Sequence, residues 1–122
     1  MGQTLGMRPL AVHHVSINVD DVDVAVRFYT EVLGLERRSD RPDLGFGGAW
    51  LDAGGQQVHL LEAAPPANLG QHFAILVPDI EAAIADVRAQ GVKCSDASPI
   101  GRNLQAFLYD PSGNAIELHE AR

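Results

Sequence analysis

The stretch HVSINV, residues 14–19, returns 58 residues later as HFAILV, residues 72–77. The same offset joins His59 in the first half of the chain to Glu117 in the second half. An offset that holds at both ends of a unit is difficult to obtain by chance, so we interpret the chain as a tandem duplication. The alternative is that two unrelated strand–helix segments resemble each other by chance. That alternative does not explain why the same offset also holds in the strands after the helices.

Each unit is predicted to form a strand, a helix and three short strands. The first strand is predicted at about 12–19 and its equivalent at about 71–77, where aliphatic residues recur at every second position. Apolar residues at helical spacing follow each strand. Both helices share an aspartate cap and a terminal glycine: Asp20 or Asp21 with Gly34, and Asp79 with Gly91.

These patterns predict an α+β fold of tandem βαβββ modules that form a curved mixed sheet. The length of 122 residues suits one domain with a single core. We expect that domain to span 1–122, with module 1 at about 9–62, a linker at about 63–69 and module 2 at about 70–122.

The composition restricts the partners that the protein can have. The formal net charge is −7, and the chain has one lysine and no cluster of basic residues. Such a surface argues against nucleic acid and anionic membranes as partners. Cys94 stands alone, so a cysteine-based zinc site is excluded. Residues 1–9 lack a long apolar stretch, so we expect no signal peptide and a cytoplasmic protein.

Four residues of metal-ligand type occupy equivalent places in the two units. Strand alternation directs His14, with Ser16 and Asn18, away from the aliphatic face that packs on the helix. His72 repeats this position, while His59 and Glu117 lie on the last strands. Three imidazoles and a carboxylate suit zinc, iron(II), nickel or manganese. The alternative is that these residues are structural or simply exposed.

The two ends of the chain resemble the vicinal oxygen chelate superfamily, which includes glyoxalase I and bleomycin-binding proteins. Residues 14–19, followed by Phe28-Tyr29 and Leu33-Gly34-Leu35, resemble the beginning of the superfamily's sequence pattern. Residues 110–118 resemble its end. The resemblance implies paired βαβββ modules that cup a divalent metal, and a homodimer. It also implies His14 and His72 as first-strand ligands and His59 and Glu117 as last-strand ligands. His59 departs from bacterial glyoxalase I, which usually carries glutamate there.

The resemblance implies a metal-dependent lyase or isomerase of the glyoxalase type. The metal would act as a Lewis acid and stabilise an enolate of a small oxygen-bearing substrate. Glu117 is the only carboxylate of the four, so it would serve as catalytic base as well as ligand. Two alternatives stay open: a fosfomycin-type thiol transferase and a metal-free protein that sequesters a drug.

Further residues are candidates for contacts with substrate or for the edge of the site. We predict substrate contacts for Ser16, Asn18, Trp50 and Arg102; the alternatives are sheet or core packing and an exposed loop arginine. Two further histidines have other expected places: His13 as a half-buried structural residue on the opposite face, and His119 at the pocket rim or surface.

Overall fold

Each half of the chain folds into a four-stranded mixed sheet with its own helical segment, as a computed structural model of residues 6–122 shows. Residues 1–5, which belong to the segment expected to carry no signal peptide, lie outside the described residues. The elements of the first half are β1 His14–Val19, α1 Val22–Arg27, a π-helical segment Phe28–Val32, β2 Glu36–Arg37, β3 Gly48–Ala53 and β4 Gln56–Glu62. Those of the second half are β5 Phe73–Leu76, α2 Ile80–Ala89, β6 Ser98–Ile100, β7 Asn103–Tyr109 and β8 Ala115–Glu120.

The two sheets have the same strand order and the same mixture of parallel and antiparallel pairs. The orders are β1-β4-β3-β2 and β5-β8-β7-β6, so the first strand of each module is an edge strand. In each sheet the first strand runs parallel to the last one, and the other pairs are antiparallel. The tandem βαβββ prediction is confirmed. The expected single curved sheet is instead two sheets, because β1 and β5 each pair with a strand of their own module.

The pairing register of the two modules is equivalent residue by residue. Ser16 of β1 lies opposite His59 of β4, and Ala74 of β5 lies opposite Glu117 of β8. Both members of the second pair stand 58 residues after those of the first. The side-chain alternation is also as predicted, since burial along β5 alternates from residue to residue. The duplication therefore fixes which positions of the two sheets correspond.

Both helices begin and end on the signals that the sequence carries. Asp21 and Asp79 each accept a hydrogen bond from the backbone N–H three residues later, at 3.1 Å in both cases. Gly34 and Gly91 end the helical segments with φ of 76° and 82°, a conformation that costs glycine little. Among residues 6–122, no helix is long and apolar enough to cross a membrane.

The junction of the modules is held by a buried tyrosine. Tyr29 is fully buried, and its hydroxyl donates to Asp110 Oδ2 at 2.7 Å. Asp110 also accepts from the backbone N–H groups of Ser112 and Asn114, so the carboxylate organises the turn after β7. Asn114 Nδ2 donates to the carbonyl of Asn18. The turn of module 2 is thus fastened to the first strand and helical segment of module 1.

Candidate metal and substrate site

The four predicted metal ligands lie in two equivalent pairs, one pair on each sheet. Because Ser16 lies opposite His59, the preceding outward residue His14 is diagonal to His59. In the same way His72 is diagonal to Glu117. Within residues 6–122, no three histidine, cysteine, aspartate or glutamate side chains are placed as a set of metal ligands. The fold therefore brings together the members of each pair and keeps the pairs apart.

The pair in module 2 has a spacing that suits adjacent metal ligands. His72 Nε2 lies 3.1 Å from Glu117 Oε1, and His72 Nδ1 lies 2.8 Å from the carbonyl oxygen of Gly70. Two ligand atoms at about 2.1 Å from one metal stand about 3.0–3.4 Å apart. A proton on Nδ1, donated to Gly70, leaves the Nε2 lone pair for a metal. The Gly70 carbonyl, and after it Glu117, raises the pKa of His72 above its ordinary value. The sequence predicted a strand at about 71–77 that would include His72. The strand β5 begins at Phe73, so His72 is the residue just before it.

A chain of hydrogen bonds fixes the other oxygen of Glu117. The backbone N–H of Arg122 donates to Asn103 Oδ1 at 3.0 Å, which orients that amide. Asn103 Nδ2 then faces His119 Nε2 at 2.9 Å, so Nε2 is the acceptor and the ring proton lies on Nδ1. His119 Nδ1 lies 2.7 Å from Glu117 Oε2 and donates to it. His119 is half-buried, and it holds Glu117 with Oε1 turned toward His72.

The pair in module 1 is a stack of rings. His14 and His59 have ring centroids 3.9 Å apart with planes 11° from parallel, and Trp50 covers the other face of His59 at 4.5 Å. A nitrogen lone pair lies in its ring plane, so two stacked imidazoles do not aim at one metal ion. His59 Nε2 also bonds to Gln57 Oε1 at 2.8 Å. Burial, with a smaller contribution from the charge of His14, lowers the pKa of His59.

Two of the four predicted substrate residues line a cleft on the first sheet, and the other two lie outside that cleft. His14, Ser16, Trp50 and His59 line a cleft of about 520 Å³ on the first sheet. The amide of Asn18 donates to the carbonyl of Ala64 at 3.1 Å, which is a structural contact, although Asn18 also borders a second cleft. Arg102 is exposed in the turn between β6 and β7 and lines neither of these two clefts.

The sequence interpretation misplaced one residue of this region and missed two others. His13 is exposed and its Nδ1 lies 2.8 Å from His14 Nδ1, so the expectation of a half-buried residue on the opposite face was wrong. The reason is that β1 begins at His14, and strand alternation does not extend to the residue before it. Phe107 packs edge-on against His72 at 5.2 Å, whereas Trp50 stacks face to face on His59. Arg41 lines the first cleft from the β2–β3 loop.

Comparisons with known proteins assign most of the chain to one protein superfamily. Residues 11–118 match the family model described as Glyoxalase/Bleomycin resistance protein/Dioxygenase superfamily. An Arabidopsis thaliana protein named "Probable lactoylglutathione lyase, chloroplastic" is 32% identical over 121 residues, which are 88% of this chain and 35% of that protein. The chain spans about a third to two fifths of the length of the first such plant relatives.

Bacterial relatives match over nearly their full length. YaeR of Escherichia coli K12 is 32% identical over 89% of this chain and 95% of its own. The lactoylglutathione lyase of Salmonella typhimurium is 28% identical over 89% of this chain and 91% of its own. Among solved structures, a glyoxalase family protein from Enterococcus faecalis is 31% identical with a TM-score of 0.73, covering 91% of this chain and 98% of its own. The antibiotic binding protein TnmS3 from Streptomyces, 24% identical with a TM-score of 0.83 over 96% of this chain and all of its own, shares the fold.

Proposed function

Because the chain belongs to the Glyoxalase/Bleomycin resistance protein/Dioxygenase superfamily, we propose that it is a metal-dependent lyase or isomerase of the glyoxalase I type. Its substrate class is a small molecule with neighbouring oxygen atoms, such as the hemithioacetal of a 2-oxoaldehyde. The full-length similarity to a bacterial lactoylglutathione lyase supports this reaction class. The donor chemistry of His14, His59, His72 and Glu117 supports a divalent metal, with zinc, nickel, iron(II) and manganese as candidates.

The observation that carries the proposal is the equivalence of the two pairs. Each module presents a half-site at the same register, on the face turned away from its helix. Leu76 lies on the same face of β5 as Ala74, the residue opposite Glu117, and is 71% exposed, so this face presents an apolar side chain that a partner could cover. We propose a homodimer in which each site combines His14 and His59 of one chain with His72 and Glu117 of the partner subunit.

The residues present fit a metal by their chemistry and, in module 2, by their spacing. One ring of the His14–His59 stack has to rotate before both imidazoles can bind the same ion. An aromatic pair contributes about 0.5–1.5 kcal/mol beyond its buried area, whereas structural zinc sites bind with about 10–16 kcal/mol. Loss of the stack is therefore a small cost, and burial lowers the pKa of His59, which favours the neutral form that binds metals.

The chain's own residues provide for the proton transfer. A bound divalent metal supplies Lewis-acid stabilisation of negative charge that develops on a substrate oxygen. Oε1 of Glu117, the oxygen that would otherwise bind the metal, accepts and returns the proton of the neighbouring carbon, because His119 Nδ1–H occupies Oε2. Trp50 and Phe107 cover one side of each half-site and limit the access of water.

Metal analysis and hemithioacetal isomerisation test the reaction. We expect stoichiometric divalent metal in protein purified without chelator, and activity that chelator removes and added metal restores. Glu117→Gln keeps the size of the side chain and should lower kcat by at least about a hundredfold, as expected for loss of a general base. Protein that neither contains nor takes up metal, and stays inactive with each of the four ions, would refute the proposal.

Mixing two inactive variants tests whether the site is shared between chains. His59→Leu damages only the module 1 half-site, and Glu117→Gln damages only the module 2 half-site. After unfolding and joint refolding, about half of the dimers are mixed, and each has one intact shared site, so about one quarter of wild-type activity returns. Sites built within single chains would give no recovery. A mixture of two module 1 variants, His14→Leu with His59→Leu, is the matched control and should stay inactive.

A further inference from the structure

The cleft of module 1 contains an arginine whose charge no carboxylate of the described residues neutralises. Arg38, the other arginine of this cleft, forms ion pairs with Asp40 at 2.8 Å and Asp52 at 2.9 Å. Arg41 forms no ion pair within residues 6–122. One of its five N–H groups donates to the carbonyl of Phe46 at 3.0 Å, which leaves the others for a ligand.

The guanidinium of Arg41 is held in place by its own loop. Its Cζ lies 5.4 Å from the centroid of the Phe46 ring, a cation–π distance. Gly45, with φ of 81°, donates its N–H to Asp43 Oδ1 at 2.9 Å and so turns the loop back toward the sheet. The arginine is therefore positioned before any ligand arrives, which reduces the entropy lost on binding.

A glycine in β3 makes room for this arginine above the sheet. Gly48 and Trp50 share one face of β3, since they stand two residues apart. A Cβ atom on Gly48 would come within 2.9 Å of Arg41 Nη2 and still closer to the backbone oxygen of Leu60, so a side chain at this position would displace the guanidinium and strain the strand pairing. Trp50 in turn stacks on His59. Gly48 and Trp50 are about 7 Å apart along the strand, so Arg41 and the ring stack lie over neighbouring positions of one face and line the same cleft.

We propose that Arg41 is the anchor for a carboxylate of the substrate, in the same cleft as the histidines of module 1. This inference rests on the proposed function for the position of the reacting end. A singly charged carboxylate fits better than a phosphate dianion, because Arg38 with Asp40 and Asp52 already has an excess of one negative charge and Arg41 contributes the one unpaired positive charge that residues 6–122 place in this cleft. The apolar side chains of Leu44, Phe46 and Trp50 line the space between the anchor and the histidines.

Binding of a matched pair of rigid probes tests the anchor without any need for turnover. The probe 3,4-dihydroxybenzoate has neighbouring oxygens and, across its ring, a carboxylate; 3,4-dihydroxybenzamide has the same shape without the charge. In chelator-treated protein, titration followed by NMR should show the acid binding about fivefold to tenfold more tightly than the amide, as expected for one charge-assisted contact at a half-exposed site. Equal affinities would overturn the proposal.

Variants assign the effect to the one arginine. Arg41→Gln should reduce the preference for the acid to within about twofold, and Arg41→Lys should keep part of it because the charge stays. Arg27→Gln removes a charge from the exposed side of α1 and should leave the preference unchanged. A preference that survives Arg41→Gln, or that Arg27→Gln reduces equally, would overturn the assignment. Tighter binding of phenylphosphonate than of benzoate would overturn the choice of a carboxylate. Since metal is absent throughout, failure of the metal site leaves these results unaffected.

Discussion

Replacing Tyr29 by phenylalanine removes one hydroxyl from the junction of the two modules. The hydroxyl donates to Asp110 Oδ2 at 2.7 Å, with Tyr29 fully buried and Asp110 5% exposed. Hydrogen bonds to charged groups contribute about 1.5–3 kcal/mol to stability. Oδ2 keeps a second donor, Asn114 Nδ2 at 2.9 Å, so the variant leaves no carboxylate oxygen unpaired. We therefore expect a loss of about 2 kcal/mol in the free energy of unfolding.

Urea unfolding of Tyr29→Phe beside Tyr109→Phe measures this contribution. Tyr109 is 57% exposed, so its variant should stay within about 0.5 kcal/mol of the wild type. For a chain of this length the Tyr29 variant should also melt about 6–10 °C lower. Asp110→Asn, used as the second arm of a double-mutant cycle, isolates the charged part of the bond. A Tyr29→Phe loss no larger than that of Tyr109→Phe, or equally large beside Asp110→Asn, would refute the reasoning.

The same pair has a consequence at high pH. Burial, and after it the charge of Asp110, raises the pKa of Tyr29 far above its ordinary value. In the unfolded chain this tyrosine ionises near pH 10, so above that pH the unfolded state releases a proton that the folded state keeps. Stability should therefore fall as the pH rises above about 10, and the fall should be smaller in Tyr29→Phe.

Three further results are expected. Asp79→Ala removes the cap of α2 and should cost about 1 kcal/mol in urea unfolding; an unchanged midpoint would contradict the capping role. His119→Leu should weaken metal binding at least about tenfold in a chelator competition, whereas His119→Gln, which can still donate to Glu117, should lose less; equal losses would contradict a positioning role. The lowered pKa of His59 means that the unfolded state gains this proton first, so His59 reduces the stability of metal-free protein as the pH falls through about 6.5, whereas the raised pKa of His72 acts in the opposite direction. Over about pH 5.5–7.5 the stability of His59→Phe should therefore change more favourably than that of the wild type as the pH falls; parallel curves would contradict the contribution of His59.

The architecture was predictable because its signals are local and occur twice. Strand alternation and the offset of 58 residues predict the paired register that places His14 near His59 and His72 near Glu117. Capping aspartates and terminal glycines mark the helices for the same reason, since they act within a turn of the chain. The π-helical segment at 28–32 was not predictable, because apolar spacing is similar in both kinds of helix.

The relation between the two half-sites depends on contacts that no local pattern encodes. The stack of His14, His59 and Trp50 is set by ring rotations and by packing between three strands. Arg41 reaches the cleft because a loop without regular structure closes on Phe46 and because Gly48 leaves a gap in the sheet surface. Such positions depend on tertiary packing. Sequence spacing therefore identified the residues of metal-ligand type but missed Arg41.

Trp50 is the chain's only tryptophan, and it lies face to face with His59 at 4.5 Å. The protein therefore has a built-in fluorophore in contact with one of the four proposed ligands. A change in the rotation or protonation of that imidazole alters the emission of the indole directly, with no background from a second tryptophan. Occupancy of the site by a paramagnetic ion such as nickel or manganese can then be followed as quenching in unlabelled protein.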